Sequence, residues 1–201
     1  MGQSTASLTG ERNEGVQMPR SAKPSEAYIL ATGAVGQAET EATVRLAVEA
    51  VEAGAKRLVL GLTSRGGDFR QGVSLANILR ALPITLDTYN MGLVASSAVV
   101  LFLAGERRFA EPHSMFGFHP SSLTPEGSFT PKQLAEARAR LLLDDGTEEE
   151  IITERTGMSR DAVRRIVQRS SSLNAEEALE RGIVHEVAPL VMPPGALVLS
   201  V

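Results

Sequence analysis

The residues able to do chemistry gather in two glycine-containing turns and at one strand end. Ser96 follows Met91-Gly92-Leu93-Val94-Ala95 and precedes an apolar run, which places it at the N-terminus of a buried helix. Such an end carries unpaired N–H donors and about half a positive charge, and so stabilises an oxyanion forming beside it. A serine there suits attack on a carbonyl, and it equally suits a plain N-cap, the commoner role of a lone serine before an apolar helix. The second turn, Ser64-Arg65-Gly66-Gly67, has paired glycines that can turn unhindered N–H groups toward a ligand. His119 ends the segment Met115-Phe116-Gly117-Phe118-His119 just before Pro120. An imidazole at a strand terminus can reach a neighbouring turn as a base, or serve as a structural cap.

Other chemistries are excluded by what the chain lacks. It has no cysteine, so disulfides, thiolate nucleophiles and thiolate metal sites are ruled out, and neither metal nor cofactor is expected. Imidazole chemistry has three candidates, of which His113 in a proline-containing turn and His185 in the last strand read as surface or packing residues. The lysines Lys23, Lys56 and Lys132 all lie away from the two turns, which disfavours a Ser–Lys pair. A net charge of −4, with no basic run, argues against a nucleic-acid partner. The apolar run over residues 98–104 falls far short of the roughly 20 residues that cross a bilayer, so no membrane association is expected and a cytoplasmic location follows by default. Residues 1–24 are polar and read as a flexible tail.

The elements that position these residues alternate. Strands are expected at 27–30, 57–62 and 84–90, each followed by a helical pattern: Val44, Ala47, Val48 and Val51 in the first, Leu75, Ile78, Leu79 and Leu82 in the second, and residues 96–103 in the third. Strand, turn, helix repeated three times implies parallel strands with right-handed crossovers. Short strands at 107–110 and 115–119 follow, then a loop over 120–130. Thr130-Pro131-Lys132-Gln133 is a capping box with proline at the first helical position, opening a helix to about Leu143. Thr147 and Glu150 repeat that logic after a break at Gly146, Ser159 and Asn174 start two more helices, and a strand is expected at 183–187. Residues 191–201 have no clear period and read as a tail.

Taken together, these segments resemble the proteolytic subunit of the Clp protease from about residue 58 to residue 187. Thr63-Ser64-Arg65-Gly66-Gly67-Asp68 is similar to the family's Ser-Pro-Gly-Gly turn, and Gly92-Leu93-Val94-Ala95-Ser96-Ser97-Ala98 to its nucleophile segment. Met115-Phe116-Gly117-Phe118-His119-Pro120 resembles its histidine strand, while Asn174-Ala175-Glu176-Glu177-Ala178 with Gly182-Ile183-Val184 resembles its closing helix and strand. The resemblance implies an α/β fold of the type shared with crotonases, built of repeated β-β-α units, with a protruding helical handle at about 121–155 inside a peptidase domain over 25–190. It implies Ser96 as nucleophile, His119 as base, and the N–H groups of Gly67 and Ser97 as oxyanion donors.

Three positions depart from the family pattern. Ser170 stands where its catalytic aspartate falls, Arg65 replaces the proline of the oxyanion turn, and Ala98-Val99 follow Ser97 in place of glycine and a small residue. A serine can orient an imidazole but does not stabilise imidazolium as a carboxylate does. The expected function is that of a serine endopeptidase subunit in a self-compartmentalised homo-oligomeric ring, acting on peptides or unfolded protein, with an AAA+ unfoldase as a candidate partner. A catalytically silent ring subunit that binds peptides or partner subunits is the first alternative, and a crotonase-type acyl-CoA enzyme the second.

Overall fold

The computed structural model describes residues 25–124 and 126–201, so the expected tail at 1–24 lies outside the described residues. Strand β1 (Glu26–Thr32), helix α1 (Gln37–Glu52), β2 (Arg57–Ser64), α2 (Phe69–Ala81), β3 (Thr85–Ala95) and α3 (Ser97–Phe102) alternate as the periodicity predicts. β1, β2 and β3 pair in parallel, Ile29 with Leu60 and Leu60 with Thr88. β2, Arg-Leu-Val-Leu-Gly-Leu-Thr-Ser, is buried at six of its eight positions, the continuous apolar signature of a parallel strand covered on both faces. Its Leu58, Leu60 and Leu62 share one core with Leu75, Leu79, Leu86 and Phe102, each at most 3 % exposed. The Phe102 ring meets Phe116 edge-on at 5.0 Å.

One detail of the sheet sets the position of the candidate nucleophile. β3 runs for eleven residues and forks. Its first half pairs with β4 (Arg107–Ala110) and its second half, Leu93 to Ala95, with β5 (Met115–Gly117). Asn90 sits at the fork, its amide nitrogen donating to the Met115 carbonyl at 2.9 Å while its oxygen accepts from the Gly92 N–H at 3.0 Å. The fork carries the end of β3 past β4 and delivers Ser96 against the end of β5.

After β5 come α4 (Pro131–Thr156), α5 (Arg160–Gln168), β6 (Ser172–Asn174), α6 (Ala175–Glu180), β7 (Glu186–Val187) and β8 (Leu197–Ser200). The sheet order is β6-β5-β3-β2-β1-β8, with β4 bridging β3 to β7. α4 opens on the Thr130 capping box, as its sequence predicts, and spans 26 residues, or about 39 Å.

Several local expectations need correction. The break at Gly146 does not occur: α4 continues through it, and the Thr147 hydroxyl donates back to the Leu143 carbonyl at 2.8 Å instead of capping a new helix. An interior glycine costs only about 1 kcal/mol, which the burial of Ile152 and the pairing of Asp144, Asp145 and Glu149 along one side of the helix offset. The strand expected over 115–119 ends at Gly117, because the Phe118 N–H turns to the Ser171 carbonyl at 2.9 Å. β6, not foreseen, pairs antiparallel with β5, while β7 holds two residues of the expected 183–187. The stretch 191–201, expected as a tail, contributes β8, which lies parallel to β1 with Ile29 opposite Leu199.

Arg108 ties these late elements to the sheet. It is 3 % exposed, and its guanidinium donates to the carbonyls of Ile183, Gly105, Arg155 and Gly182 at 2.8 to 3.3 Å. Burial, with Arg155 nearby, lowers its pKa to about 10, which still leaves it charged at neutral pH.

Candidate active site

Ser96 occupies the strand-to-helix corner between β3 and α3 with φ 55° and ψ −133°, a conformation that L residues other than glycine rarely adopt. Such strain costs roughly 1–3 kcal/mol and persists only where the surroundings enforce it. Here they do. The Ser96 N–H donates to the Gly117 carbonyl at 2.9 Å, and its own carbonyl accepts from Val99 N–H at 2.8 Å. A serine on a sharp strand-to-helix turn is held out of both elements, with its hydroxyl offered to whatever faces the sheet edge.

The other glycine turn packs directly against this corner. A Cβ on Gly66 would stand 2.7 Å from both the Ser96 Cβ and the Ala95 carbonyl oxygen, and 3.1 Å from the Ser97 nitrogen. With φ at +92°, Gly66 is required on conformational grounds as well. The turn is anchored from the far side, where Val35 N–H donates to Gly66 O at 3.0 Å and Asp68 N–H to Val35 O at 2.8 Å. Asp68 then caps α2, accepting from the Arg70 and Gln71 N–H groups. Among the described residues, the N–H groups of Gly67 and Ser97 donate to no turn, loop or side-chain acceptor. Ser97 is 1 % exposed and its hydroxyl oxygen is buried without a partner.

His119 is half-buried at the exit of β5, its Nδ1 2.8 Å from the carbonyl oxygen of Pro120. A carbonyl can only accept, so this contact places the proton on Nδ1 and leaves Nε2 with its lone pair, the tautomer a general base needs. Ser170 closes α5, its N–H donating to the Val167 carbonyl at 3.0 Å, and is exposed with φ 50°. The Phe118–Ser171 hydrogen bond brings its neighbour alongside the histidine segment, but no hydrogen bond joins Ser170 to His119.

Of the residues singled out in the sequence, Ser96, His119 and Gly67 line one cleft of about 540 Å³. Ser97 sits in the packed layer behind it, and Ser170 is outside the lining. Arg65, which replaces the family's proline, also faces the cleft and is exposed. Sequence reasoning missed the far wall, where α4 presents Arg140, Leu141, Asp144 and Glu148. Their only signal was spacing: Asp144, Asp145, Glu148 and Glu149 repeat at helical intervals on one face. Glu148 is 3 % exposed, and burial, reinforced by the Asp145 and Glu149 charges, pushes its carboxyl up to about 7. His185, expected as a surface or packing residue, is exposed. Its Nδ1 accepts from the Arg108 N–H at 3.2 Å, and partial desolvation with the neighbouring arginines holds its pKa below the ordinary value. Among the described residues, no group of acidic or histidine side chains is arranged to hold a metal ion, and no helix is long and apolar enough to cross a membrane.

Comparison with known proteins gives a consistent result. The family model described as Clp protease matches residues 13–190. The ATP-dependent Clp protease proteolytic subunit 2 of Treponema denticola is 29% identical over 169 residues, covering 80% of each chain. The ATP-dependent Clp protease proteolytic subunit of Paracoccus denitrificans is 24% identical over 190 residues, covering 91% of this chain and 94% of its own. Among solved structures, a ClpP1 mutant from Listeria monocytogenes superimposes with a TM-score of 0.72 at 21% identity, over 81% of this chain and 91% of its own.

Proposed function

We propose a function from the premise that this chain belongs to the Clp protease family: as a proteolytic subunit, it cleaves peptide bonds by serine chemistry at the cleft between the two glycine turns and α4. Ser96 attacks the peptide carbonyl, His119 Nε2 takes the hydroxyl proton and returns it to the leaving amine, and the Gly67 and Ser97 N–H groups hold the oxyanion. Water then repeats the sequence on the acyl-enzyme. The carrying observation is the strained corner at Ser96, which shares its cleft with a histidine whose backbone contact fixes the base tautomer.

The ring belongs to the same proposal. Leu134, Leu142 and Leu143 on α4 are 51 to 62 % exposed, an apolar surface that fits burial against further copies of the chain. Native mass spectrometry at micromolar concentration is expected to show a closed homo-oligomer, and a monomer alone would contradict the ring.

A second reading, a silent subunit, is favoured by the exposure of Ser170 and its lack of a bond to His119. Labelling with a serine-directed peptidyl phosphonate separates the two. Ser96→Ala is expected to abolish labelling, whereas Ser97→Ala retains it, since Ser97 contributes its N–H and its hydroxyl has no partner. Labelling that survives Ser96→Ala, or the absence of labelling in the intact ring, would overturn the peptidase reading.

A further inference from the structure

The far wall of the cleft contains a carboxyl without a counterpart. Its neighbours on α4 each face a donor or a cation: Asp145 the Ser121 N–H at 2.6 Å, Glu149 the guanidinium groups of Arg164 at 3.2 Å and Arg160 at 3.5 Å, and Asp144 the Arg70 guanidinium, an ion pair although the Asp144 Oδ1, like the Glu148 Oε1, has no hydrogen bond. Glu148 is the most buried of the four, and its Oε1 has no hydrogen-bond partner. It nonetheless lines the cavity that Ser96 and His119 line. A buried carboxyl left unpaired is costly, and the cost is recovered when a donor arrives. The cations of the cleft do not supply one. Arg70 is committed to Asp144, Arg65 stands in the opposite turn and is exposed, and Arg140 lies eight residues earlier, about 12 Å along the helix axis.

Resting on the peptidase reading of Ser96, we propose that Glu148 is the specificity-determining residue of this cleft and receives a lysine or arginine side chain on the substrate residue whose carbonyl Ser96 attacks. The cleft, at about 540 Å³, is of the size that encloses one such side chain with the flanking backbone. Phe69, Leu123 and Leu141 offer apolar walls for the methylene stem, and Glu148 takes the charged head. The entering ammonium or guanidinium displaces the proton that burial otherwise keeps on the carboxyl, so a buried ion pair replaces a buried acid. Arg65 and Arg140 oppose a cation only weakly, because exposed charges are screened by solvent and salt whereas the buried carboxylate is not.

The test uses three peptidyl phosphonates that differ only in the residue attached to phosphorus, carrying lysine, arginine or leucine side chains, with the intact oligomer. Second-order labelling rates are expected to favour lysine and arginine over leucine by about tenfold to a hundredfold, the range of one hydrogen bond to a charged group. Glu148→Gln, which keeps the shape, should reduce the preference to no more than about threefold, and Glu148→Leu should reverse it. Thermal melts of each variant check folding, and Glu148→Gln decides if Glu148→Leu does not fold. Equal or faster labelling by leucine in the unaltered protein, or a basic preference that survives Glu148→Gln, would overturn the inference while leaving Ser96 as the nucleophile. No labelling by any of the three would instead remove the peptidase reading on which it rests.

Discussion

Replacing Ser170 by aspartate tests whether the position that matches the family's aspartate limits the proposed peptidase. The substitution is tolerable locally: Ser170 has φ 50°, a region that aspartate enters more readily than most residues. The carboxylate would compete with the Pro120 carbonyl for the His119 Nδ1 proton and would add what a neutral carbonyl lacks, a charge facing the imidazolium formed in the transition state. Two unit charges 4 Å apart interact by about 4 kcal/mol at an effective dielectric of 20 and by about 1 kcal/mol in bulk water. Ser170 is exposed and His119 half-buried, so the gain falls between these limits, at about 1–3 kcal/mol or roughly fivefold to 150-fold in rate. That is well below the roughly 10⁴ lost when a buried triad loses its acid. The assay is the rate of phosphonylation of Ser96 by a peptidyl phosphonate at low and high salt, with Ser170→Asn as the uncharged control. A gain confined to aspartate and reduced by salt is the expected result. An equal gain with asparagine, or none while the new carboxylate sits within hydrogen-bond distance of Nδ1, would refute the reasoning and move the limitation to Arg65 in the oxyanion turn.

Three further predictions concern the supporting structure. Gly66→Ala must place its methyl 2.7 Å from Ser96 Cβ at a positive φ, and is expected to cost at least about 2 kcal/mol in urea unfolding and to abolish labelling of Ser96. Arg108→Met leaves the Ile183, Arg155 and Gly182 carbonyls short of a donor, while Gly105 keeps Arg155, and should cost about 3–5 kcal/mol, read as a lowered unfolding midpoint at unchanged m-value. Glu148 holds its proton up to about pH 7 when folded but only to about 4.5 when unfolded, so its contribution is intact below 4.5 and declines as pH rises through 7. Glu148→Gln should therefore match the native protein near pH 4.5 and exceed it by about 3 kcal/mol above pH 7, in denaturant titrations across that range.

Legibility followed the range of the interactions involved. The alternation of β1 to α3 was readable because each element announces itself within a dozen residues, as did the Thr130 capping box of α4 and the glycines flanking the candidate nucleophile. β6 and β8 were not readable, because a strand of three or four residues has no period of its own and exists through its partner, β5 for one and β1 for the other. The unbroken passage of α4 through Gly146 has the same origin. The local signal of glycine followed by a threonine points to a break, but the packing of Ile152 and the pairing of the acids along the next turns outweigh it. The cleft shows the pattern most sharply. Ser96 and His119 were identified through motifs, and motifs record residues held by local backbone geometry: a positive φ at one, a neighbouring carbonyl at the other. Glu148 belongs to no motif. In the sequence it is one of several acids at helical spacing, and only the packing of α4 across the mouth of the two glycine turns removes it from water and leaves it without a partner. Candidate catalytic residues of this kind are thus readable from short segments. The group that would choose the substrate lies on an element some fifty residues away, and its chemistry arises only when the chain closes over it.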